Sequence, residues 1–453
     1  MKQTASIRMT EGPIASQMIK FAWPLFLGNL FQQLYNVADT LIVGKLLGNT
    51  ALAAVSSTGS LIMLLVGLFA GVGMGSSVVI SRYFGARDSE RTSVAIHTAF
   101  CFGVIAGISV SVFGSIFAPQ ILVLMDTPED VMVESLAYIR MYFAGALGMV
   151  LYNTCMSIMR SVGDSKHPLQ YLIISSVLNV ILDIVMISVF RLGVGGAALA
   201  TIIAQFFSVF LCMRRLLRVD DVYRIYWRRL RIHWPTLVQV VRYGIPSGIQ
   251  NSVIAIANVV VQTNINSFGE MAMAGCGAYS KVEGFAFTVI SSFCMAITTF
   301  VSQNLGAKEY VRVRRGARFG IISSMALAEV IGIILAVGAP LFIGAFTSEP
   351  EAIAFGVERS RICSWFFFLL AHSHSVSAVL RGAGRAAVPM FAMMGCWCVI
   401  RMAFLSIVVP IFQSIVVVNW VYPLTWALSS TILMLYYLKS NWLYSFELEG
   451  KKR

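Results

Sequence analysis

The stretch YLIISSVLNVILDIVMISVF, residues 171–190, decides the fold class of this chain. Its length matches the roughly 20 residues with which a helix crosses about 30 Å of hydrocarbon, and its one ionisable side chain is Asp183. Comparable apolar stretches recur along the chain. We predict twelve membrane-spanning helices at 16–46, 50–81, 92–118, 134–159, 168–190, 194–217, 235–268, 272–302, 316–345, 352–380, 386–411 and 415–438.

The composition of the whole chain agrees with this prediction. Of its 453 residues, 58% are hydrophobic and only 12% are charged, and the mean hydropathy is +0.78. A water-soluble surface cannot accommodate such a balance. The chain is therefore predicted to be an all-α polytopic membrane protein. The first apolar stretch is long and lacks a small-residue cleavage site, so we expect it to stay as a helix.

The net charge of +13 does not indicate nucleic-acid binding, because the basic residues are sorted by loop. Most of the 34 Lys and Arg lie in the two tails and in alternate loops. The intervening loops hold four, namely Lys45, Arg191, Arg359 and Arg361. This is the positive-inside pattern of a membrane protein. It predicts that both termini are cytoplasmic and that the protein lies in the cell inner membrane.

The two halves of the sequence resemble each other. SRYFGAR at 81–87 aligns with SQNLGAK at 302–308, and RSVGDSKHP at 160–168 aligns with RGAGRAAVP at 381–389. These matches share a nearly constant offset of about 220 residues, which indicates a duplicated six-helix unit. An even number of spans returns each half to its starting side, so the halves share one orientation and enclose a central cavity.

We therefore predict an amino-terminal lobe at 1–217, a basic cytoplasmic linker at 218–234 and a carboxyl-terminal lobe with a cytoplasmic tail at 235–453. The two lobes are expected to be related by a pseudo-twofold axis along the membrane normal. Rocking of such lobes could expose the cavity to each side in turn, which is typical of a secondary transporter.

Intramembrane carboxylates are functional candidates by default, because a charge in hydrocarbon costs at least about 2.5–3.5 kcal/mol. Asp39 shares a helix face with Asn36, and Asp183 shares one with Asn179. Thr201 could add a further oxygen. Two acids facing one cavity of low dielectric should take up a proton or a metal cation.

Most of these polar residues occur in only one of the two repeated halves. The positions equivalent to Asp39, Asn179 and Asp183 hold Val261, Ile400 and Phe404. Polar residues needed only for packing should recur in both halves, whereas a cation site is needed once. The neutral oxygens of Asn179 and Thr201 suit Na⁺, and H⁺ stays an alternative.

Further polar residues inside the spans are candidates for lining the substrate cavity. A proline in helix 1 is a candidate hinge. Lys281 and Glu283 lie two residues apart and so face different partners. They contact substrate or form a structural ion pair. Pro24 removes a backbone hydrogen bond within helix 1 and is the hinge candidate. The remaining cavity candidates are Asn153, Asn258 and Gln262.

The chain resembles the multidrug and toxic compound extrusion (MATE) family of transporters. The resemblance rests on FAWPLFLGNLFQQLYNVADTLIVGKLLG at 21–48 and on the repeated loops quoted above. It implies twelve helices in two lobes around a V-shaped cavity. It also implies monomeric export of amphipathic, often cationic compounds, driven by inward Na⁺ or H⁺ without a cofactor.

The resemblance also implies a branch of the family. Asp39, Asn179, Asp183 and Thr201 are similar to the cation site of the branch that uses the amino-terminal lobe. The other branch has a Glu in helix 7, where this chain has Asn258. Pro24 takes the place of a helix-1 proline that is linked to bending in the family. Lys281 and Glu283 resemble a basic and acidic pair of helix 8.

Two other functions stay open at this point. A flippase for lipid-linked oligosaccharides would need several Arg or Lys facing the cavity, because its substrate carries phosphates. Lys281 and Arg401 are the visible candidates for that role. A membrane-embedded enzyme is the remote alternative, since the chain has no HExxH, GxSxG or Cys/His metal spacing.

Overall fold

The computed structural model describes residues 8–124 and 129–450 of the chain. Within these ranges it describes the side chains of all residues except 38–41, 43–45, 47–65, 124, 129–131, 134 and 448–450. The described residues form helices joined by short loops, and none of them lies in a strand. The all-α polytopic membrane fold predicted from the sequence is confirmed.

The helices pack into two compact units. Unit 1 comprises Leu27–Ile245 with Met1–Arg8, and unit 2 comprises Met9–Phe26 with Pro246–Arg453. The first unit is built from most of α1 and from the following five helices and includes the start of α7. Helices α1 to α6 span Ile14–Gly85, Ser89–Leu124, Glu129–Ala144, Ala146–Ser161, Lys166–Ile184 and Gly193–Arg218.

Unit 2 contains the rest of α7 and all later helices. Helices α7 to α16 span Trp234–Asn266, Glu270–Gly306, Tyr310–Val337, Ala339–Gly344, Pro350–Cys363, Phe367–Gly382, Ala387–Met393, Arg401–Phe412, Ile415–Lys439 and Ser445–Gly450. A π-helical segment interrupts one long helix in each unit. These segments are Val185–Val189 after α5 and Met394–Ile400 between α13 and α14.

Ten helical segments among the described residues are long and apolar enough to cross a membrane; α11 with α12 forms one of them, and α13 with α14 another. The pair α3 and α4, bent by 48°, makes eleven if it is one span. The predicted break between the first two spans is not seen, because α1 continues from Ile14 to Gly85. Gly48 and Asn49 are weak helix formers, which is why the sequence predicts a break at 47–49, but no proline lies there to force one.

The repeated loops have the same conformation in both units. Arg87 and Lys308 both have positive φ, at 57° and 61°, and so do Gly163 and Gly384, at 85° and 75°. These pairs are equivalent in the sequence repeat. The left-handed backbone of each loop turns the chain sharply between two helices.

Equivalent hydrogen bonds hold these loops. The hydroxyl of Ser81 donates to the carbonyl of Ser161 at 2.9 Å, and that of Ser302 donates to the carbonyl of Gly382 at 2.8 Å. Both serines are fully buried. The duplication inferred from the sequence is therefore visible in the loop structure of each unit.

The predicted linker at 218–234 is folded against unit 1. Tyr223 is fully buried, and its hydroxyl donates to Asp164 at 3.5 Å. Burial and the nearby Asp164 carboxylate raise the pKa of Tyr223 to about 12, so its hydroxyl stays neutral. The backbone of Tyr226 donates to His97 at 3.0 Å. The change from one unit to the other comes later, between Ile245 and Pro246 within α7.

Candidate functional site

The polar pair of α5 lies inside unit 1. Asn179 and Asp183 are one helical turn apart, and their exposed fractions are 1% and 0%. The helix places both side chains on one face, as the spacing predicts. Asp183 lies two residues before the π-helical segment, and such segments are frequent at functional sites.

Thr201 of α6 lies beside Asn179. The amide nitrogen of Asn179 donates to the Thr201 hydroxyl at 3.5 Å, and that hydroxyl donates to the carbonyl of Ala197 at 3.1 Å. The amide oxygen of Asn179 is buried and accepts no hydrogen bond from the described residues. A buried acceptor without a donor is costly, and a cation would satisfy it. This oxygen is therefore a fitting ligand for a hard cation.

The other unit 1 candidates differ in their surroundings. The side chain of Asp39 lies outside the described residues, although α1 passes through this position. Asn36 is exposed and accepts a bond from Gln32 at 3.4 Å. Asn153 is half-buried and donates to the carbonyl of Met149 at 2.9 Å. Among the described side chains, no group of three or more His, Cys, Asp or Glu could hold a metal.

The candidates of unit 2 are more widely spread. Lys281 is exposed, with its ammonium 5.7 Å from the ring centre of Phe346. Glu283 is half-buried and faces away from Lys281, as expected two residues along a helix. Asn258 is exposed and accepts from Arg401 at 3.4 Å. Gln262 donates to Asn266 at 2.8 Å.

Arg359 corrects the sequence analysis, which counted it among the basic residues of the outer loops. It lies on α11 and is only 3% exposed. Arg401 is buried too, at 1%, so its guanidinium does not reach solvent at the end of its helix. Small or buried residues at Ala352, Gly356 and Cys363 mark the same face of α11 as Arg359. That helical periodicity was the available signal for its burial.

Pro24 lies inside α1 and is buried. The helix passes from unit 2 to unit 1 just after this residue, between Phe26 and Leu27. A proline in a helix removes one backbone hydrogen bond and permits a bend. The hinge candidate therefore lies next to the point where α1 changes its packing partners.

Comparison with known proteins assigns the family. The MatE family model matches residues 24–185 and, a second time, residues 246–407. The chain belongs to the MatE family. The double match also confirms the internal duplication, since one model describes both halves. The protein is thus a multi-pass membrane protein of a transporter family.

Individual relatives agree with this MatE assignment. The probable multidrug resistance protein YoeA of Bacillus subtilis is 31% identical over 382 residues, which are 82% of each chain. The FAD transporter of Shewanella oneidensis is 25% identical over 76% of this chain and 77% of its own. The crystal structure of MATE in complex with MaL6 is 22% identical and superimposes with a TM-score of 0.90. That match covers 96% of this chain and 98% of the other, and it supports the fold.

Proposed function

We propose that this MatE protein is a secondary active multidrug exporter of the cell inner membrane. It antiports amphipathic, often cationic organic compounds against inward Na⁺ or H⁺ by alternating access. The observation that carries the proposal is the buried pair Asn179 and Asp183 of unit 1, with the half-buried Thr201 hydroxyl 3.5 Å from the amide nitrogen of Asn179. The similarity to YoeA, a probable multidrug resistance protein, supports export of drugs.

The coupling ion binds at Asp183 in this proposal. A carboxylate buried in a membrane span is costly while ionised, so it gains most from a cation or a proton. Na⁺ would use the carboxylate together with the amide oxygen of Asn179 and the hydroxyl of Thr201. Asp39, on α1, is the proposed second acid, and Asn36 belongs to its polar face.

Coupling follows from linkage between the two ligands. If the ion favours the outward-open state and the drug favours the inward-open state, binding of one promotes release of the other. Outside the cell the ion binds and the drug leaves; inside the cell the ion leaves and the next drug binds. Bending of α1 at Pro24 would connect the two states. The protein acts as a monomer with both termini in the cytoplasm.

The named substrates of the relatives differ: YoeA is a probable multidrug resistance protein, whereas the Shewanella oneidensis protein is named an FAD transporter. Substrate contacts are proposed at Asn153, Lys281 and Glu283, with Asn258 and Gln262 as further candidates. No residue set of an enzyme is needed for this function, and no cofactor is used.

Efflux of a fluorescent cationic dye from proteoliposomes tests the proposal, with Na⁺ and pH gradients imposed separately. One gradient should drive efflux, and Asp183→Asn should reduce the driven rate at least about a hundredfold, because the neutral amide cannot hold the ion's counter-charge. Asp220→Asn, at an exposed linker position, is the control and should keep the rate. Gradient-driven efflux that persists in Asp183→Asn would refute the coupling site.

A further inference from the structure

Two buried arginines of unit 2 lie around a single tyrosine ring. The guanidinium carbon of Arg359 is 4.9 Å from the ring centre of Tyr422, and that of Arg401 is 4.6 Å from the same centre. Arg359 also lies over Tyr279 at 5.3 Å, and Arg401 over Trp397 at 5.3 Å. Helices α8, α11, α14 and α15 and the π-helical segment before α14 bring these side chains together. We name these five residues the arginine cluster.

The positive charge of the arginine cluster is not balanced. Glu283 is the carboxylate whose charge acts on both arginines, and it forms no ion pair with either in the part of the chain that the structure describes. Two cations and one anion leave an excess positive charge. An unpaired charge within a membrane span is costly and marks a functional site by default.

Several polar atoms of the cluster and its neighbour lack partners among the described residues. They are Nε and Nη1 of Arg359 and Nε of Arg401. The side-chain amide of Asn419, which is fully buried on α15 one turn before Tyr422, has neither a donor nor an acceptor. The thiol of Cys276 beside Arg359 is only a weak acceptor. Buried groups of this kind normally have partners, so a ligand is expected here.

The cluster comes nearest to the surface of unit 2 at Asn258. Arg401 donates to Thr425 at 2.8 Å and to Asn258 at 3.4 Å, and Asn258 is exposed. Glu283 is half-buried. Asn258 thus lies between the surface of unit 2 and the buried guanidinium of Arg401, and we expect a ligand to reach the arginines by displacing this contact.

We propose that Arg359 and Arg401 form a binding site for the anionic group of an amphipathic organic compound. The oxygens of a carboxylate or a phosphate accept hydrogen bonds from the free N–H groups of the arginines, and the negative charge neutralises the excess positive charge. The rings of Trp397 and Tyr422 lie against the guanidiniums and hold them in place. The inference rests on the proposed exporter and extends its cargo from cations to organic anions and zwitterions.

The same anionic chemistry is present in lipid headgroups and in lipid-linked sugars. The experiment therefore uses two membranes. The protein is placed in nanodiscs of phosphatidylcholine alone and in nanodiscs that also contain phosphatidylglycerol. Binding of fluorescein, an aromatic anion, is measured by fluorescence polarisation without any gradient. An esterified rhodamine cation with the same xanthene ring is measured in parallel.

Arg359→Gln and Arg401→Gln should each weaken fluorescein binding at least about tenfold, because each removes a charge-assisted hydrogen-bond donor. Arg361→Gln is the matched control, since Arg361 lies two residues away on α11 and is exposed. It should bind fluorescein as the wild type does. Binding of the rhodamine cation should be retained in both cluster variants, which also reports that they are folded. If a glutamine variant does not bind the rhodamine cation, the lysine variant at the same position, Arg359→Lys or Arg401→Lys, is measured in its place. Lysine keeps the charge.

Equal fluorescein binding by the wild type and both cluster variants would overturn the proposal, and so would no binding in phosphatidylcholine discs. Fluorescein binding that phosphatidylglycerol abolishes in the wild type identifies the headgroup as a ligand of the same arginines. Binding that resists this lipid identifies a soluble anion. Asp183→Asn should keep fluorescein binding while losing dye efflux, so failure of the coupling site is distinguished from failure of the anion site.

Discussion

Asn179 lies one turn before Asp183 on α5, and together these two polar side chains expose at most 1% of their surface. Thr201 is the neighbour that distinguishes the two possible coupling ions. Na⁺ uses several oxygen ligands, whereas a proton needs only the carboxylate.

Replacement of Thr201 by valine keeps the shape of the side chain and removes its hydroxyl. If Na⁺ is the coupling ion, we expect the Na⁺ concentration for half-maximal efflux to rise about three- to tenfold, since one polar contact contributes about 0.5–1.5 kcal/mol. Thr431→Val is the control, because Thr431 is exposed and its hydroxyl also donates to a carbonyl one turn back. If efflux is driven by Na⁺ and the Na⁺ concentration for half-maximal efflux is the same in Thr201→Val and in the wild type, Thr201 is not a ligand of the ion.

Gly275→Ala should destabilise unit 2. A Cβ at this position would lie 2.0 Å from the carbonyl oxygen of Ala352, so α8 and α11 would have to move apart. Overpacking of this kind costs about 1–3 kcal/mol. Gly277→Ala is the control, because nothing lies within 4 Å of its added Cβ. Thermal unfolding of the purified variants, followed by a thiol-reactive dye, should show a lower Tm for Gly275→Ala alone; equal Tm values would refute the close helix contact.

Arg312→Ala should release the start of the described chain from unit 2. The guanidinium of Arg312 donates to the carbonyls of Met9, Glu11 and Gly12 at 2.8–3.2 Å. We expect a loss of about 1.5–3 kcal/mol, typical of bonds from a charged donor. Hydrogen exchange at residues 9–12 should become faster. The exposed Arg315→Ala variant should exchange like the wild type, and unchanged exchange in Arg312→Ala would contradict the contact.

The duplicated loops should respond alike to the loss of one hydroxyl. Ser81→Ala and Ser302→Ala each remove a buried hydrogen bond to a backbone carbonyl and should each cost about 1 kcal/mol. The effects should add in the double variant, because the two bonds share no partner. The free energy of unfolding in denaturant titrations measures both. A large cost for one serine with none for the other would show that the loops are not energetically equivalent.

Much of the architecture could be predicted from the sequence because it depends on local patterns. Apolar length gives the spans, helical spacing puts Asn179 and Asp183 on one face, and repeated motifs reveal the duplication. The gap predicted at 47–49 is helical in the structure although Gly48 and Asn49 are weak helix formers, so local propensity alone does not place this boundary.

The arginine cluster could not be predicted in the same way. The segment around Arg359 is rich in charge, with Glu358 and Arg361 close by, and therefore looks like a loop or a solvated helix. Its guanidinium is buried by Tyr279 and Tyr422, which lie far away in the sequence. Burial of a single charge among several depends on such long-range packing. Only the spacing of Ala352, Gly356 and Cys363 carried a local indication.

The matched backbone of the Arg87 and Lys308 loops has a consequence for the ancestry of the molecule. Duplication supplied a spare copy of every membrane-embedded position, so each copy could diverge while the turns that hold its helices were retained. In the alignment of the two halves, Asp183 corresponds to Phe404. Arg359 and Arg401 correspond to Tyr138 and Val180. The two halves therefore differ in the ionisable side chains that they carry at equivalent positions. One repeated backbone framework thereby carries two different sets of ionisable side chains.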